Sequence, residues 1–325
     1  MFKKHEAKKI VSNINLNTST VREIKYKNLT WIDIERPTNV HMDMLKEKFD
    51  FHELLLEDCM TEHQRSKIDD YDEYCFIVLH MPRYKKMLEI IEPAEVDIFI
   101  GPNYLITLHE GELKPLMVFA SLCDAKEEAK VEYMSEGSAL LLYEIIKRLF
   151  DYCMPMLDKI GILLNKINVD IFKNTSKAML KNISIAKMQI INFRRIVKPV
   201  RPVILSLEKI IVKYLPENMD IYFDDITDKA EKIWDMLEND KEVIESIDST
   251  FTSLTNNKSN NLMTVFTIIQ VVILPMTLVG GLFSMNVSGI PLHDYGNAFW
   301  IVFGMIMVPT SAIALAMVIN RKKWF

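Results

Sequence analysis

The sequence predicts an α/β cytoplasmic domain, followed by a long stalk helix and two transmembrane helices at the C-terminus. Two observations lead to this prediction. Residues 259–320 contain no Lys or Arg, and Asp294 is their only acidic residue. Residues 221–258 contain no Pro or Gly, and their charged and apolar residues alternate at helical spacing, which is typical of a long amphipathic helix.

Residues 1–130 mix short strands with short helices, which indicates an α/β domain with a mixed or antiparallel sheet. Four segments have strand composition, namely residues 30–34, 74–81, 95–100 and 104–109. The last two flank Gly101-Pro102-Asn103, a turn signal that predicts a hairpin. Pro37-Thr38 is expected to open a helix that runs to Phe49. No glycine-rich phosphate loop occurs, which argues against an enzyme that hydrolyses nucleotides.

Residues 131–217 are predicted to form an antiparallel helical hairpin in the cytoplasm. Residues 139–172 keep an apolar period of 3.6 residues, which is typical of one long helix. Asn174-Thr175-Ser176 is expected to break the helical pattern and to cap the second helix of this hairpin. Pro199 and Pro202 are expected to interrupt that helix, because proline removes a helical hydrogen bond.

Residues 218–285 are predicted as a single stalk helix that continues into the first transmembrane helix, at about residues 262–284. Residues 299–320 are predicted as the second transmembrane helix. A helix needs about 20 apolar residues to cross roughly 30 Å of hydrocarbon, and each segment reaches that length. So long a stalk cannot bury its apolar face alone, which favours self-association.

The orientation of this membrane hairpin follows from its flanking charges. Lys258 precedes the first span, and residues 321–325 form a basic tail after the second. Residues 286–298, the predicted external loop, contain no cation. The positive-inside rule therefore places both termini in the cytoplasm of a multi-pass protein of the cell membrane.

One face of the first span carries mostly small or polar residues. We call this face the polar stripe, and its members are Asn260, Met263, Thr267, Gln270, Leu274, Thr277, Gly281 and Ser284. A polar face turned to lipid costs several kcal/mol, so the stripe is expected to face protein or water. Two interpretations stay open: packing between helices, or a pore lined by the stripe in an oligomer. Gln270 fits either interpretation.

Composition excludes other classes of function. The formal net charge is −5 and the isoelectric point about 5.9, which does not favour a nucleic-acid partner. The four cysteines have no CxxC spacing and are expected to be reduced thiols. Glu57, Asp58, Glu62 and His63 lie on one predicted helical segment without a nucleophile beside them, so we interpret them as structural.

Residues 275–286 (PMTLVGGLFSMN) resemble the PLTFIAGIYGMN signature of the CorA family of divalent-cation channels. Lys322-Lys323-Trp324-Phe325 is similar to the closing tail of that family, and the segment from Leu56 to Lys67 also resembles it. The resemblance implies a funnel-shaped homopentamer in a lipid bilayer. It implies passive entry of Mg²⁺, with Co²⁺ and Ni²⁺ as surrogates, no enzymatic activity and no organic cofactor.

The resemblance also implies which residues handle the ion. Its pore-lining positions correspond to Asn260, Met263, Leu274, Thr277 and Gly281, and Thr267 lies beside them on the stripe. Its selectivity filter corresponds to Ser284, Met285 and Asn286. The family has Gly where this chain has Ser284, and serine there would cost on the order of 1 kcal/mol if its φ were positive. The substitution is then either tolerated or a change in conductance or ion choice.

The resemblance implies a regulatory Mg²⁺ site between cytoplasmic subunits. The stalk ligand corresponds to Asp225, with Asp224 and Asp228 nearby, and Glu89 lies beyond the facing loop. That loop carries Lys85 and Lys86 where the family has acidic residues. One hypothesis is that a Lys–Asp pair replaces the metal there; the alternative is that the aspartates are a solvated helix face.

Two alternatives to Mg²⁺ transport are kept. A ZntB-like branch of the family moves Zn²⁺, although no His or Cys lies on the stripe, which favours Mg²⁺. The chain could instead be a membrane-anchored metal sensor that binds metal without conducting it.

Overall fold

A computed structural model describes residues 19–61, 64–173, 176–214, 220–285 and 296–324. The chain divides into two compact units, residues 1–248 and residues 249–325. The first unit contains the sheet and the helices packed on it. The second contains the end of the stalk helix and the C-terminal helix.

The first unit is built on a six-stranded sheet. In chain order, strands β1 to β6 are Thr20–Tyr26, Leu29–Glu35, Lys67–Asp70, Cys75–Lys85, Ile90–Ile100 and Tyr104–His109. Their spatial order is β1-β2-β6-β5-β4-β3, and every neighbouring pair is antiparallel except β2 with β6. The predicted mixed sheet is confirmed. The hairpin predicted at Gly101–Asn103 is also confirmed, since β5 and β6 pair directly across it.

Two short helices cover one face of the sheet: α1, Asn39–Phe49, and α2, Glu53–Asp58. The helix predicted after Pro37-Thr38 is therefore confirmed, and the Thr38 amide donates to His41 Nδ1 at 3.0 Å at its start. The core under these helices contains Ile32, Ile34, Met42, Leu45, Phe51, Leu55, Leu56, Tyr74, Phe76, Val78, Phe99, Ile106 and Leu108. Its alternate strand positions fix the register of β2, β4, β5 and β6, because a one-residue slip would turn them to the other face.

Four helices follow β6: α3, Lys114–Ala125; α4, Glu127–Met134; α5, Ser138–Asp170; and α6, Lys177–Ile210. Trp31 of β2 contacts Phe119 of α3, with ring centroids 5.4 Å apart. Helices α5 and α6 contact β4 and β5 as well as each other. The helical hairpin buries its apolar face on the sheet, so the division proposed after residue 130 does not separate two compact units.

Helix α6 corrects one prediction and confirms another. It runs unbroken through Pro199 and Pro202, where the sequence predicted an interruption. The neighbouring Val200 and Val203 are 1% and 5% exposed, and burial of these side chains outweighs the hydrogen bonds that the prolines remove. At the start of the helix, Ser176 Oγ accepts a hydrogen bond from the Met179 amide, as predicted for a cap.

Helix α7 spans Asp220–Ser284, 65 residues without a break, which confirms the predicted stalk that continues into an apolar segment. From its start to the boundary between the two compact units, α7 packs on α6. Lys187 lies 2.7 Å from Asp248, and Arg201 Nε donates to Glu231 at 3.0 Å. The ring of Trp234 contacts two cations, with its centroid 5.2 Å from the guanidinium of Arg194 and 4.9 Å from that of Arg201.

The last helix, α8, spans Ala298–Trp324. Within the described ranges, the helical segment Tyr222–Ser284 alone passes a length-and-composition test for a membrane span, with a mean hydropathy of 2.3 in its most apolar window. The apolar part of α8 described in the same way, Phe299–Ile313, is shorter. The second transmembrane helix therefore stays a prediction.

Candidate functional site

The polar stripe lies on an exposed part of the apolar half of α7, where apolar residues of other faces, such as Phe266 and Leu278, are exposed as well. All eight of its residues are exposed, with Met263 at 65% and Leu274 at 58%. A Cβ atom added at Gly281 would meet no atom within 4 Å. In the single chain, the stripe is therefore open.

A different face of α7 is partly covered. Its members are Thr264, Ile268, Val271, Val272, Pro275, Met276, Val279 and Phe283. In α8, the covered positions Val302, Ile306 and Thr310 recur every four residues and so share one face. Both helices belong to the second compact unit.

The hydroxyl groups of the stripe donate to their own helix. Thr267 Oγ1 donates to the Met263 carbonyl at 2.8 Å, and Thr277 Oγ1 donates to the Leu274 carbonyl at 2.9 Å. Each hydroxyl has one hydrogen, so its remaining lone pairs can only accept. These hydroxyls thus present only acceptors outward, and a hydrated cation presents donors, namely the hydrogens of its bound water.

Ser284 is the last helical residue of α7, and its hydroxyl donates to the Gly281 carbonyl at 2.9 Å. The non-glycine residues of positive φ within the described ranges are Lys27, Arg36, Asp50 and Glu89, so Ser284 is not left-handed. The strain considered for a serine at this position does not arise. Met285 follows as the first residue outside the helix, and Asn286 lies outside the described residues.

The predicted regulatory aspartates lie on the first turns of α7. Asp224 and Asp228 are exposed, whereas Asp225 is half-buried and accepts a hydrogen bond from the Tyr143 hydroxyl at 3.1 Å. Burial, and then the Asp225 carboxylate, raise the pKa of Tyr143 to about 12. Asp225 and Asp228 line a cavity of about 300 Å³ together with Asp151, whose carboxylate pairs with Lys229 at 2.6 Å.

Glu89 lies elsewhere, in the connection between β4 and β5, with φ +54°. Its carbonyl accepts a hydrogen bond from Gln189 Nε2 of α6 at 2.8 Å, and it lines a separate cavity of about 380 Å³. Within one chain, Glu89 and Asp225 are therefore not neighbours of one site. Lys85 already pairs with Glu92 at 3.3 Å, so a Lys85–Asp pair between subunits would have to compete with this contact.

Sequence reasoning missed a buried polar network in the sheet. Asp33 is fully buried; its Oδ2 accepts from Arg22 at 2.9 Å, and its Oδ1 accepts from Thr107 Oγ1 at 2.7 Å. His109 Nδ1 accepts from the Gly111 amide, so its Nε2 carries the proton that points to Asp33 at 3.1 Å. The available signal was an aspartate inside an apolar strand.

Of the four residues that we interpret as structural (Glu57, Asp58, Glu62 and His63), the structure gives an ion pair for one. Asp58 pairs with Lys67 at 2.7 Å, while Glu62 and His63 lie outside the described residues. The four cysteines are free thiols. Burial raises the pKa of Cys75 to about 12, and its thiol is therefore unreactive at neutral pH.

Comparison with known proteins gives one consistent family. The sequence model of the family described as CorA-like Mg²⁺ transporter protein matches residues 26–322. The chain is 28% identical over 302 residues to the putative metal ion transporter YfjQ of Bacillus subtilis, covering 91% of this chain and 89% of the relative. It is 26% identical over 299 residues to the cobalt/magnesium transport protein CorA of Thermotoga maritima, covering 91% and 83%.

Solved structures share the fold. The CorA magnesium transporter of Methanocaldococcus jannaschii matches with a TM-score of 0.76 and 20% identity, covering 91% of this chain and 92% of that one. The cytoplasmic domain of ZntB from Vibrio parahaemolyticus matches with a TM-score of 0.59 and 14% identity, covering 71% and 90%. At these identities the likeness concerns the fold alone.

Proposed function

The chain belongs to the CorA-like Mg²⁺ transporter family, and we propose that it carries Mg²⁺ passively across the cell membrane along the polar stripe of α7. At the coarser level it is a membrane transporter of divalent cations, as its family is. The observation that supports the finer proposal is the open stripe. Its residues are all exposed in the single chain, and its Thr and Ser hydroxyls offer acceptors only.

Mg²⁺ suits such a surface. The ion dehydrates reluctantly, so a pathway that contacts its water shell avoids the cost of removing that shell. Acceptor oxygens at Thr267, Thr277 and Ser284 would each receive hydrogen bonds from the bound water. Met263 and Leu274, on the same stripe, would act as apolar constrictions that close by dewetting.

Two spans from one chain cannot enclose a water-filled path, so the proposal requires copies of this chain. We propose the homopentamer that the family resemblance implies, with the stripes of five subunits facing one axis. A ring of five Asn286 side chains would receive the ion at the outer end, and Asn260 would form a second ring at the cytoplasmic end.

The choice of ion rests on the ligand chemistry of the stripe. Zn²⁺ prefers His and Cys ligands when it is dehydrated, and neither residue occurs from Asn260 to Ser284. Mg²⁺ is therefore the proposed cargo, with Co²⁺ and Ni²⁺ as surrogates and Zn²⁺ as the alternative. The regulatory site at Asp224, Asp225 and Asp228 with Glu89 stays a prediction, since it would form only between subunits.

The test is Mg²⁺ and Co²⁺ flux into liposomes that contain the purified full-length protein. Asn286→Ala is expected to abolish flux. Thr277→Val removes an acceptor from the stripe and is expected to lower flux several-fold. The matched control is Thr264→Val, which removes a hydroxyl that also donates to its own helix, at 3.0 Å to Asn260, but from the partly covered face.

Equal losses in the two threonine variants would contradict the pathway. Absence of flux from the folded, assembled protein would contradict conduction itself. If Ser284→Gly then restored flux, the serine would be responsible and the chain would act as a non-conducting sensor. In the same liposomes, internal Mg²⁺ should slow the flux of the intact protein and not that of Asp225→Ala if the regulatory site exists.

A further inference from the structure

A cavity of about 480 Å³ opens at one end of the sheet, on the face that α1 and α2 cover. It lies beyond the apolar core, where the strands β4 and β5 place polar side chains on that face. Val78 is paired with Asp97 and His80 with Glu95, so these side chains continue the row of Phe76 and Phe99. Four carboxyl groups line the cavity: Glu95, Asp97, Glu110 and Glu112.

Asp97 is the unexplained member of this group. It is 5% exposed, and its Oδ1 is buried and has no hydrogen-bond partner. Burial, and then the charge of Glu95, raise the pKa of the Asp97 carboxyl well above its usual range. The Cys59 thiol donates a hydrogen bond to the Asp97 carboxyl, which leaves Oδ1 as the atom without a donor. An orphaned buried acceptor costs about 1–3 kcal/mol, more when it is charged.

The basic side chains around the cavity already have hydrogen-bond or ion-pair partners. Arg83 bridges Glu92 at 3.1 Å and Glu112 at 2.7 Å. His80 Nε2 lies 2.9 Å from Glu95, and its Nδ1 lies 3.1 Å from Ser66 Oγ.

The charge of Lys67 acts on Asp97 and lowers its pKa. The Lys67 ammonium group already pairs with Asp58 at 2.7 Å and with Asp69 at 2.9 Å. Cys59, the remaining polar neighbour of Asp97, is a thiol and brings no positive charge. Within the described part of the chain, Asp97 and Glu110 have no ion-pair partner, and the cavity carries an excess of carboxylates.

We propose that this cavity binds one divalent cation together with its water shell, with Asp97 and Glu95 accepting hydrogen bonds from the bound water. No three His, Cys, Asp or Glu side chains within the described ranges converge to ligate a metal directly, so the contact runs through water. Mg²⁺ commonly keeps several waters and takes one or two carboxylates. Six waters occupy roughly 180 Å³, at about 30 Å³ each, which the cavity accommodates.

The site lies within one chain and is separate from the transport pathway and from the predicted regulatory residues. Glu89 and Asp225 line two other cavities. Binding here therefore does not rest on conduction or on assembly. The cavity lies in the unit of residues 1–248, and its occupant would be drawn from the ions that reach that unit.

The experiment counts bound ions on the full-length protein in detergent after treatment with a chelator. Mn²⁺ is titrated in, and free Mn²⁺ is followed by electron paramagnetic resonance; Mg²⁺ is then added as competitor. Asp97→Asn keeps the shape of the side chain and is expected to remove one bound Mn²⁺ per chain or to weaken that site at least tenfold. The matched control is Asp124→Asn, the same change at an exposed carboxylate of α3 outside the cavity.

Glu95→Gln is the second variant, and it is expected to weaken the same site. It keeps the test valid if Asp97→Asn does not fold. Circular dichroism and gel filtration will establish whether each variant folds. The proposal is overturned if both cavity variants keep the stoichiometry and affinity of Asp124→Asn, since Asp97 would then be a protonated acid in a cavity that binds no cation. Flux is measured in parallel. Loss of the bound ion with flux intact supports the site alone, and bound ion without flux would refute transport while leaving the site standing.

Discussion

Asp240 interrupts an otherwise apolar seam, and replacing it should stabilise the compact unit of residues 1–248. The buried positions of α7 repeat every three and four residues, and they are Phe223, Ile226, Ala230, Ile233, Leu237, Asp240, Ile244 and Ile247. Asp240 is 9% exposed, and no hydrogen-bond or ion-pair partner of its carboxylate exists among the residues described. This is a position at which a coiled-coil-like seam favours leucine.

The expected magnitude follows from the burial of that side chain. Fully burying a Leu side chain is worth about 1.5–3 kcal/mol, and Asp240→Leu also removes the cost of burying a carboxylate. We expect a gain of about 2 kcal/mol. For a unit of this size, each kcal/mol corresponds to about 2–4 °C, so the unfolding temperature should rise by about 4–8 °C.

The gain should depend on pH in a defined direction. Burial raises the pKa of Asp240 above its ordinary value of 3.8, so the folded state binds this proton more tightly than the unfolded state does. The wild type therefore loses stability as the pH rises from 3.8 through the folded pKa. The advantage of Asp240→Leu should be smallest near pH 4 and fully present at neutral pH.

Thermal unfolding of the full-length protein in detergent, followed by circular dichroism at acidic and neutral pH, measures both effects. Asp235→Leu is the matched control, because Asp235 is an exposed carboxylate on the same helix and should give little change. A lower unfolding temperature for Asp240→Leu, or a gain that does not grow with pH, would refute the reasoning. The carboxylate would then have a stabilising partner in the assembled protein.

Two further changes test the packing of the sheet and its helices. Asp33→Asn should cost about 3 kcal/mol in a denaturant titration, because it leaves Arg22 without its buried counter-charge; a loss below about 1 kcal/mol would contradict a charged network there. Gly111→Ala should cost about 1 kcal/mol or more, since Gly111 has φ +75° and a new Cβ would lie 2.6 Å from Glu35 Oε1. Its counterpart Gly161→Ala, inside α5 with no atom within 4 Å of the new Cβ, should instead stabilise by up to about 1 kcal/mol.

The parts of the fold that local chemistry decides could be predicted from the sequence. The hairpin at Gly101–Asn103 and the 65-residue helix α7 are examples, since a turn signal and a run without Pro or Gly act over neighbouring residues. The interruption predicted at Pro199 was wrong for the opposite reason. There, burial of side chains on the sheet outweighed a local preference.

The candidate sites divide in the same way. The polar stripe could be predicted because lipid excludes charge and the helix repeats every 3.6 residues. The network at Asp33 and the cavity at Asp97 depend on strand pairing, which brings Asp33 to Thr107 across 74 residues of sequence.

The backbone of Ser284 also bears on the choice between a channel and a silent sensor. One reason to consider a sensor came from the resemblance, in which Ser284 stands where the CorA signature has glycine. Ser284 ends α7 in a helical conformation, without the positive φ that would penalise it. Its hydroxyl donates to the Gly281 carbonyl as Thr277 donates to Leu274, seven residues earlier on the same face. The serine therefore adds one more acceptor at the C-terminal end of the stripe, and backbone strain at this position gives no argument for a sensor.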